Sequence, residues 1–143
     1  MKLLDELHRF YYDMTLSELR SMNDNSTYPN ITYNSLLYLD LISYKEDCTV
    51  SYLADALHIS KSAVTIKVNE LIKQGFLTKT QSEKDRRVYY LSITPEVEAE
   101  YKQHDKRVLH AAKALEQNYS EAELSLFQRM LEQTRKCYLE TAH

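Results

Sequence analysis

Gly75 is the only glycine in a chain of 143 residues, and it stands between two segments of opposite character. Glycine is the residue that enters left-handed backbone without a steric penalty, so Gly75 marks the one place where this chain can stop a helix sharply. Before it, Val64, Val68, Leu71 and Ile72 recur at spacings of three and four, the stripe of an amphipathic helix. Ser60 is suited to cap that helix, and Lys73-Gln74 lead out of it. Ser62, Thr65, Lys67 and Asn69 fall outside the stripe, with Lys61 at the N-terminal end. After Gly75, residues 76–80 and 88–93 are rich in β-branched, aromatic and aliphatic side chains and have the length of strands. The turn between them, Gln81 to Arg87, carries Lys84, Arg86 and Arg87. Asp85 sits two residues before Arg87, close enough to hold its guanidinium in a bidentate pair. A capped helix followed by a basic-tipped hairpin is the reading half of a winged helix-turn-helix. A surface helix and a solvated turn are the blander readings of the two parts taken separately.

The charge distribution agrees with a localised basic face. Residues 58–90 hold seven Lys/Arg against three acids, a net of +4, which leaves −7 on the rest of a chain whose total is −3. A basic patch on an acidic body fits a nucleic-acid face, and also an acidic partner protein. Cys48 and Cys137 are far apart, with no CxxC and no histidine at zinc spacing, which suits a reducing compartment. No run approaches the about 18 apolar residues of a membrane span, and no apolar segment of signal-peptide length opens the chain. The expected location is the cytoplasm, with no membrane partner and no cofactor.

Scarce glycine and proline point to a mainly helical chain. A first helix is expected over residues 2–22, with Leu3, Leu7, Phe10 and Met14 on a broad apolar face. The turn formers of Asn23 to Asn30 break it. Thr32 is expected to cap a second helix to about Tyr44, with Leu36, Leu37, Leu39, Leu41 and Ile42 inward. Cys48-Thr49-Val50 is a short apolar piece able to pair with the wing strands. Ser51 is expected to cap a third helix, Tyr52 to Leu57, whose Leu53, Ala54 and Leu57 face inward. His58-Ile59 then turns into the Ser60 helix. A short helix, a tight turn and a longer polar-faced helix form a helix-turn-helix, whose second helix enters the major groove of DNA. Pro95 opens a long helix to about Asn118. Ser120, with Glu123 at the capping-box position, opens a last one along which Leu124, Phe127, Leu131, Thr134 and Tyr138 form one side. The terminal helices are more apolar than one small domain can bury, so they are expected to form a dimer interface.

This order of elements resembles the MarR family of bacterial transcription regulators over nearly the whole chain. The resemblance is most specific from Thr49 to Thr94. It rests on the Leu53-Ala54 pair, the Ser-Lys-Ser-x-Val-Thr opening at Ser60, the Leu-Ile-Lys-Gln-Gly-Phe-Leu exit, the Asp-Arg-Arg wing and the closing Leu-Ser-Ile-Thr. It implies an α+β winged helix-turn-helix, mainly α with a small β wing. Residues 1–30 and 95–143 would be dimerisation segments around a DNA-binding lobe at 31–94, in one structural domain per chain. It also implies a homodimer on pseudo-palindromic double-stranded DNA. Ser60, Lys61, Ser62 and Thr65 would approach phosphates and base edges in the major groove. Arg87, held by Asp85, would reach the minor groove, with Lys84 and Arg86 on the backbone or groove wall. Two positions depart from the family pattern. The position often occupied by Arg is Ile66, followed by Lys67; both are expected to meet DNA, with apolar contact to a thymine methyl in place of a guanine contact. The usual Thr-Glu-x-Gly turn is Thr94-Pro95-Glu96-Val97.

Family members respond to small phenolic or lipophilic ligands, to cysteine oxidation or to zinc. Of the twelve tyrosines, Tyr11, Tyr12, Tyr33 and Tyr38 fall on elements expected to line an effector cleft, with amphipathic packing as the alternative. Cys48 and Cys137 are the redox candidates, with buried inert thiols as the alternative. His104 and His110, six apart, do not share a helical face, and no metal site is assigned. No nucleophile–base pair, phosphate-cradling loop or metal motif supports an enzyme. The expected function is therefore a sequence-specific DNA-binding regulator, a repressor released by a small-molecule or oxidative signal. The alternative is a winged-helix module that binds an acidic protein.

Overall fold

The computed structural model describes residues 1–24 and 31–140. Its elements run in the order α1 (Lys2–Asp24), α2 (Tyr33–Ser43), α3 (Val50–Leu57), α4 (Lys61–Lys73), β1 (Leu77–Gln81), β2 (Tyr89–Ile93), α5 (Pro95–Asn118) and α6 (Glu121–Glu140). They divide into two compact units, Met1–Thr94 and Pro95–His143. The class is the expected one: helices with, among the described residues, a single two-stranded antiparallel sheet.

In the first unit the exit from α4 is a Schellman motif. Gly75 adopts φ +82°, its N–H donates to the Ile72 carbonyl at 3.0 Å, and the Phe76 N–H donates to the Leu71 carbonyl at 2.9 Å. Two carbonyls that the helix would leave unsatisfied are thereby paired. The far end of the hairpin returns to the same place. The Thr94 N–H donates to the Phe76 carbonyl at 3.0 Å, and the Thr94 hydroxyl donates to the Gly75 carbonyl at 3.0 Å. Helix exit, strand entry and strand exit are tied at one point.

β1 and β2 pair from Leu77↔Ile93 to Gln81↔Tyr89. The expected strands were thus right to within a residue at their ends. Leu77 and Leu91 turn inward and are buried, while Lys79 and Thr80 stay exposed. Cys48 adds an isolated antiparallel bridge to Leu91, whose N–H donates to the Cys48 carbonyl at 2.8 Å. Only Cys48 of the expected 48–50 piece pairs with the wing, because Thr49 is already the N-cap of α3 and accepts from the Tyr52 N–H at 3.0 Å. This corrects the cap expected at Ser51. The core of the unit gathers Leu39, Ile42, Cys48, Leu53, Ala54, Val64, Val68, Leu71, Leu77 and Leu91. Each large aliphatic side chain so buried contributes about 1.5–3 kcal/mol.

Two expectations about helices change. α1 continues through Asn23 and Asp24, and the rest of the expected break, residues 25–30, lies outside the described residues. In α2 the buried positions are Ser35, Tyr38, Leu39 and Ile42; Leu37 is exposed, and Leu36 and Leu41 are half-buried. The α2 sequence YNSLLYLDLIS is apolar on almost every side, so periodicity could not set which side turns inward. The neighbouring sheet and helices set it.

In the second unit, Pro95 occupies the first helical position of α5, where its missing N–H costs nothing. Glu96 and Glu98 complement the helix N-terminus. α6 opens with the expected capping box. The Glu123 N–H donates to the Ser120 hydroxyl oxygen at 3.3 Å, and the Ser120 N–H donates to the Glu123 carboxylate at 2.8 Å. The Ser120 N–H foremost, and then the Ser120 hydroxyl, which donates to the same carboxylate at 2.8 Å, hold the Glu123 carboxyl below its usual range.

Replacing Gly75 by alanine is expected to destabilise the protein by about 1–2 kcal/mol, the cost of a left-handed L-residue. An added Cβ there meets nothing within 4 Å, so the cost is conformational rather than steric. Denaturant unfolding should also show asparagine, which tolerates this region, to be milder than alanine.

Candidate nucleic-acid interface

The α3–α4 turn is tight because His58 takes a left-handed conformation with φ 55°. The Ile59 N–H then donates to the Ala54 carbonyl at 3.1 Å. One residue later the Ser60 hydroxyl oxygen accepts from the Ala63 N–H at 3.1 Å, which leaves its own proton available to a ligand. Lys61 and Ser62 follow in the exposed first turn of α4. A helix N-terminus with free N–H groups, a hydroxyl and an ammonium is chemically suited to a phosphate.

Val64, Val68 and Leu71 anchor α4 to the core. Ser62, Thr65, Ile66, Asn69 and Lys73 are exposed, and their spacing of three and four places them on the opposite face. Lys67 does not join them. Its side chain is 17% exposed and its Nζ lies 3.6 Å from the Glu70 carboxylate. Of the α4 residues expected to meet DNA, Lys67 is the one drawn off the outward face. Asn69 takes its place, and its spacing of four from Thr65 and seven from Ser62 was the signal for it.

The wing tip is built around Ser82 and Asp85. Ser82 is buried, and its hydroxyl oxygen accepts from the N–H groups of Lys84 and Asp85, each at 3.3 Å. The Asp85 carboxylate accepts from the Arg87 backbone N–H at 3.0 Å and, bidentately, from Nε and Nη2 at 3.1 Å each. The Arg87 side-chain bonds, with the backbone N–H second, hold the Asp85 carboxyl below its usual range. The same pair raises the Arg87 guanidinium. Arg87 is 91% exposed, so the pair aims the guanidinium without burying it. Lys84 and Arg86 are exposed beside it. Gln81 donates to the Arg86 carbonyl at 2.6 Å and to the Tyr89 hydroxyl at 3.3 Å, and the Lys79 ammonium stands 5.1 Å from the Tyr89 ring centre. Sequence reasoning missed Ser82 and Gln81. The signal for Ser82 was a hydroxyl at the head of a turn, able to bond the backbone two and three residues on.

The effector candidates divide. Burial, then the Glu18 carboxylate and Tyr11, push the Tyr33 hydroxyl up from its ordinary value, so α1 and α2 bring Tyr11, Glu18 and Tyr33 together. Tyr12 is exposed and has no part in that group. Tyr38 is 8% exposed: it packs in the core, as the amphipathic reading had it, and lines no open cleft. Cys48 is fully buried, and desolvation raises its thiol while Lys45 draws it part of the way back. That opposes the thiolate an oxidant needs. Cys137 is exposed on α6, and neither cysteine is in a disulfide. Among the described residues no three His, Cys, Asp or Glu side chains group as a metal site.

A helix-turn-helix with a basic, pre-oriented wing is a winged-helix DNA-binding architecture, and comparison with known proteins makes the class specific. Residues 31–89 match the model of the MarR family. The transcriptional regulator AdcR of Streptococcus pyogenes serotype M6 is 29% identical over 101 residues, 68% of this chain and 69% of AdcR. The organic hydroperoxide resistance transcriptional regulator of Bacillus subtilis is 32% identical over 65 residues, 46% of this chain and 44% of the relative. In three dimensions the chain is similar to Streptococcus pneumoniae FabT, crystallised in complex with DNA. The TM-score is 0.69 at 21% identity, with 99% of each chain covered. Residues 31–89 thus carry the match to the MarR family, and about two thirds of the chain is similar to a transcriptional regulator.

Replacing Arg87 by alanine should let the Asp85 carboxyl rise toward its ordinary range in a carboxylate NMR titration. In the wild type the pair holds at neutral pH and is lost only as pH falls through the lowered value of Asp85. An Asp85 that titrates alike in both proteins would mean that the pair does not form in solution.

Proposed function

We propose that this protein is a homodimeric repressor of the MarR type, acting in the cytoplasm on pseudo-palindromic double-stranded DNA. The observation that carries the reading is the pairing of two pre-shaped elements in one lobe. α4 presents a polar N-terminus and an outward face, and the wing presents an Arg87 already aimed by Asp85. α4 lies in the major groove. Ser60, Lys61, Ser62 and Thr65 meet phosphates and base edges, and Ile66 and Asn69 lie deeper along the helix. Arg87 enters the minor groove, flanked by Lys84 and Arg86. Lys67 supports α4 through Glu70 and makes no primary contact. Nothing in this arrangement calls for catalysis, and the relatives named above are regulators.

The dimer follows from what the single chain leaves uncovered. α1 and α6 bury no residue, and α5 buries only Val97. Leu3, Leu7, Phe10 and Met14 on α1 are between 42% and 63% exposed, and Phe127, Met130 and Leu131 on α6 between 48% and 53%. Apolar faces of this extent mark an interface, and a second copy covers them with segments 1–30 and 95–143. The releasing signal is a small molecule received near Tyr11, Glu18 and Tyr33, or oxidation at Cys137. The sealed Cys48 is the weaker redox site.

Three measurements test these statements. Four exposed cations per protomer, eight per dimer, give a slope of log affinity against log salt of up to about −7 if all reach phosphates. A shallow slope together with capture of an acidic protein would favour the interaction-module reading. Arg87→Ala should weaken binding to every sequence by roughly tenfold to a hundredfold, and unchanged affinity removes Arg87 from the groove. Sedimentation at micromolar concentration should give twice the single-chain mass; a monomer overturns the dimer.

A further inference from the structure

The middle of the outward face of α4 carries no cation. Lys67, the only basic residue between Lys61 and Lys73, is turned to Glu70 and 17% exposed. Lys61 and Lys73 stand at the two ends of the helix. Twelve residues apart at 1.5 Å each, their Cα atoms are about 18 Å apart. The major groove is about 12 Å wide, so the two ammonium groups straddle it toward the phosphate walls and leave its floor to other side chains. At the centre lies Ile66, 71% exposed, ahead of Tyr44 at 69% as the most exposed large apolar side chain of residues 31–94. Asn69 is exposed three residues on. Ile66 has no core role, since it points away from Val64, Val68 and Leu71.

We propose that Ile66 and Asn69 determine the operator preference of this protein by selecting thymine and adenine, and rejecting guanine, at the centre of each half-site. The proposal rests on the DNA-binding reading above and adds which bases are read. Guanine offers two acceptors, N7 and O6, to the major groove and is matched by Arg or Lys; this part of the face has neither. Thymine offers a C5-methyl, which an isoleucine covers, and adenine offers the N7 acceptor and N6 donor that a carboxamide matches bidentately. A G·C pair set under Ile66 would lose the hydration of its polar groups without replacement, a penalty worth roughly tenfold or more in affinity. Thr65, exposed beside Ile66, adds a second methyl to the same apolar surface.

The test is selection from random double-stranded DNA by the full-length protein, followed by atomic substitution in the selected site. Wild type should enrich a two-fold symmetric motif with T and A at the half-site centres. Ile66→Arg should shift the selected base toward guanine. Replacing the central thymines by uracil removes only the methyl, and each should weaken wild type by about fourfold, the worth of one buried methyl, with no effect on Ile66→Ala. Replacing the central adenines by 7-deazaadenine should weaken wild type and leave Asn69→Ala unchanged. Guanine at the centres, or equal effects in wild type and variants, overturns the assignment while DNA binding stands. Absence of any motif together with a shallow salt dependence overturns the DNA reading itself, and the assignment with it.

Discussion

The position of the wing relative to α4 depends on a single junction. The left-handed Gly75 turns the chain out of the helix, and Thr94, arriving at the end of the hairpin, hydrogen-bonds the carbonyls of both Gly75 and Phe76. The hairpin therefore cannot swing about the helix exit without breaking three or four backbone-directed bonds at once. The outward face of α4 and the wing tip are thereby held in register, and two of the bonds pair carbonyls that the helix end would otherwise leave open.

A second level of preorganisation lies at the wing tip. An exposed arginine has several free rotamers, and ordering them on binding lowers affinity. Here Ser82 orders the loop backbone, and Asp85 fixes Arg87 through three hydrogen bonds to one carboxylate. The aspartate reduces the net positive charge of the tip, which weakens long-range attraction to DNA, and supplies direction in exchange. Direction is the more useful of the two in a narrow groove, where a guanidinium must be placed rather than merely attracted.

The helices outside the winged lobe show the opposite economy. α6 opens with a capping box, and α5 and α6 carry i,i+4 ion pairs such as Glu98–Lys102 and Glu132–Lys136, yet α1 and α6 bury no residue and α5 only Val97. Local signals of this kind stabilise a helix by tenths of a kcal/mol each and cannot account for long apolar stripes left in water. A lobe with its own core is thus joined to helices that bury almost no whole residue within the single chain.

Much of this was legible without a structure. The caps at Thr32, Ser60 and Ser120, the stop at Gly75, the two strands and the Asp85–Arg87 pair are local, decided by hydroxyl placement, φ preference, alternation and a two-residue reach. For that reason the sequence by itself determined the order of elements and the chemistry of the wing. The tertiary structure decided the rest. It chose which side of the nearly all-apolar α2 turns inward, drawing Tyr38 into the core and leaving Leu37 in solvent. It paired the Cys48 carbonyl with Leu91, directly before the α3 cap at Thr49. It sealed Cys48 from oxidants. The inward side of α2 and the burial of Cys48 depend on which neighbour arrives from a distant part of the chain, and periodicity along one segment carries no record of that.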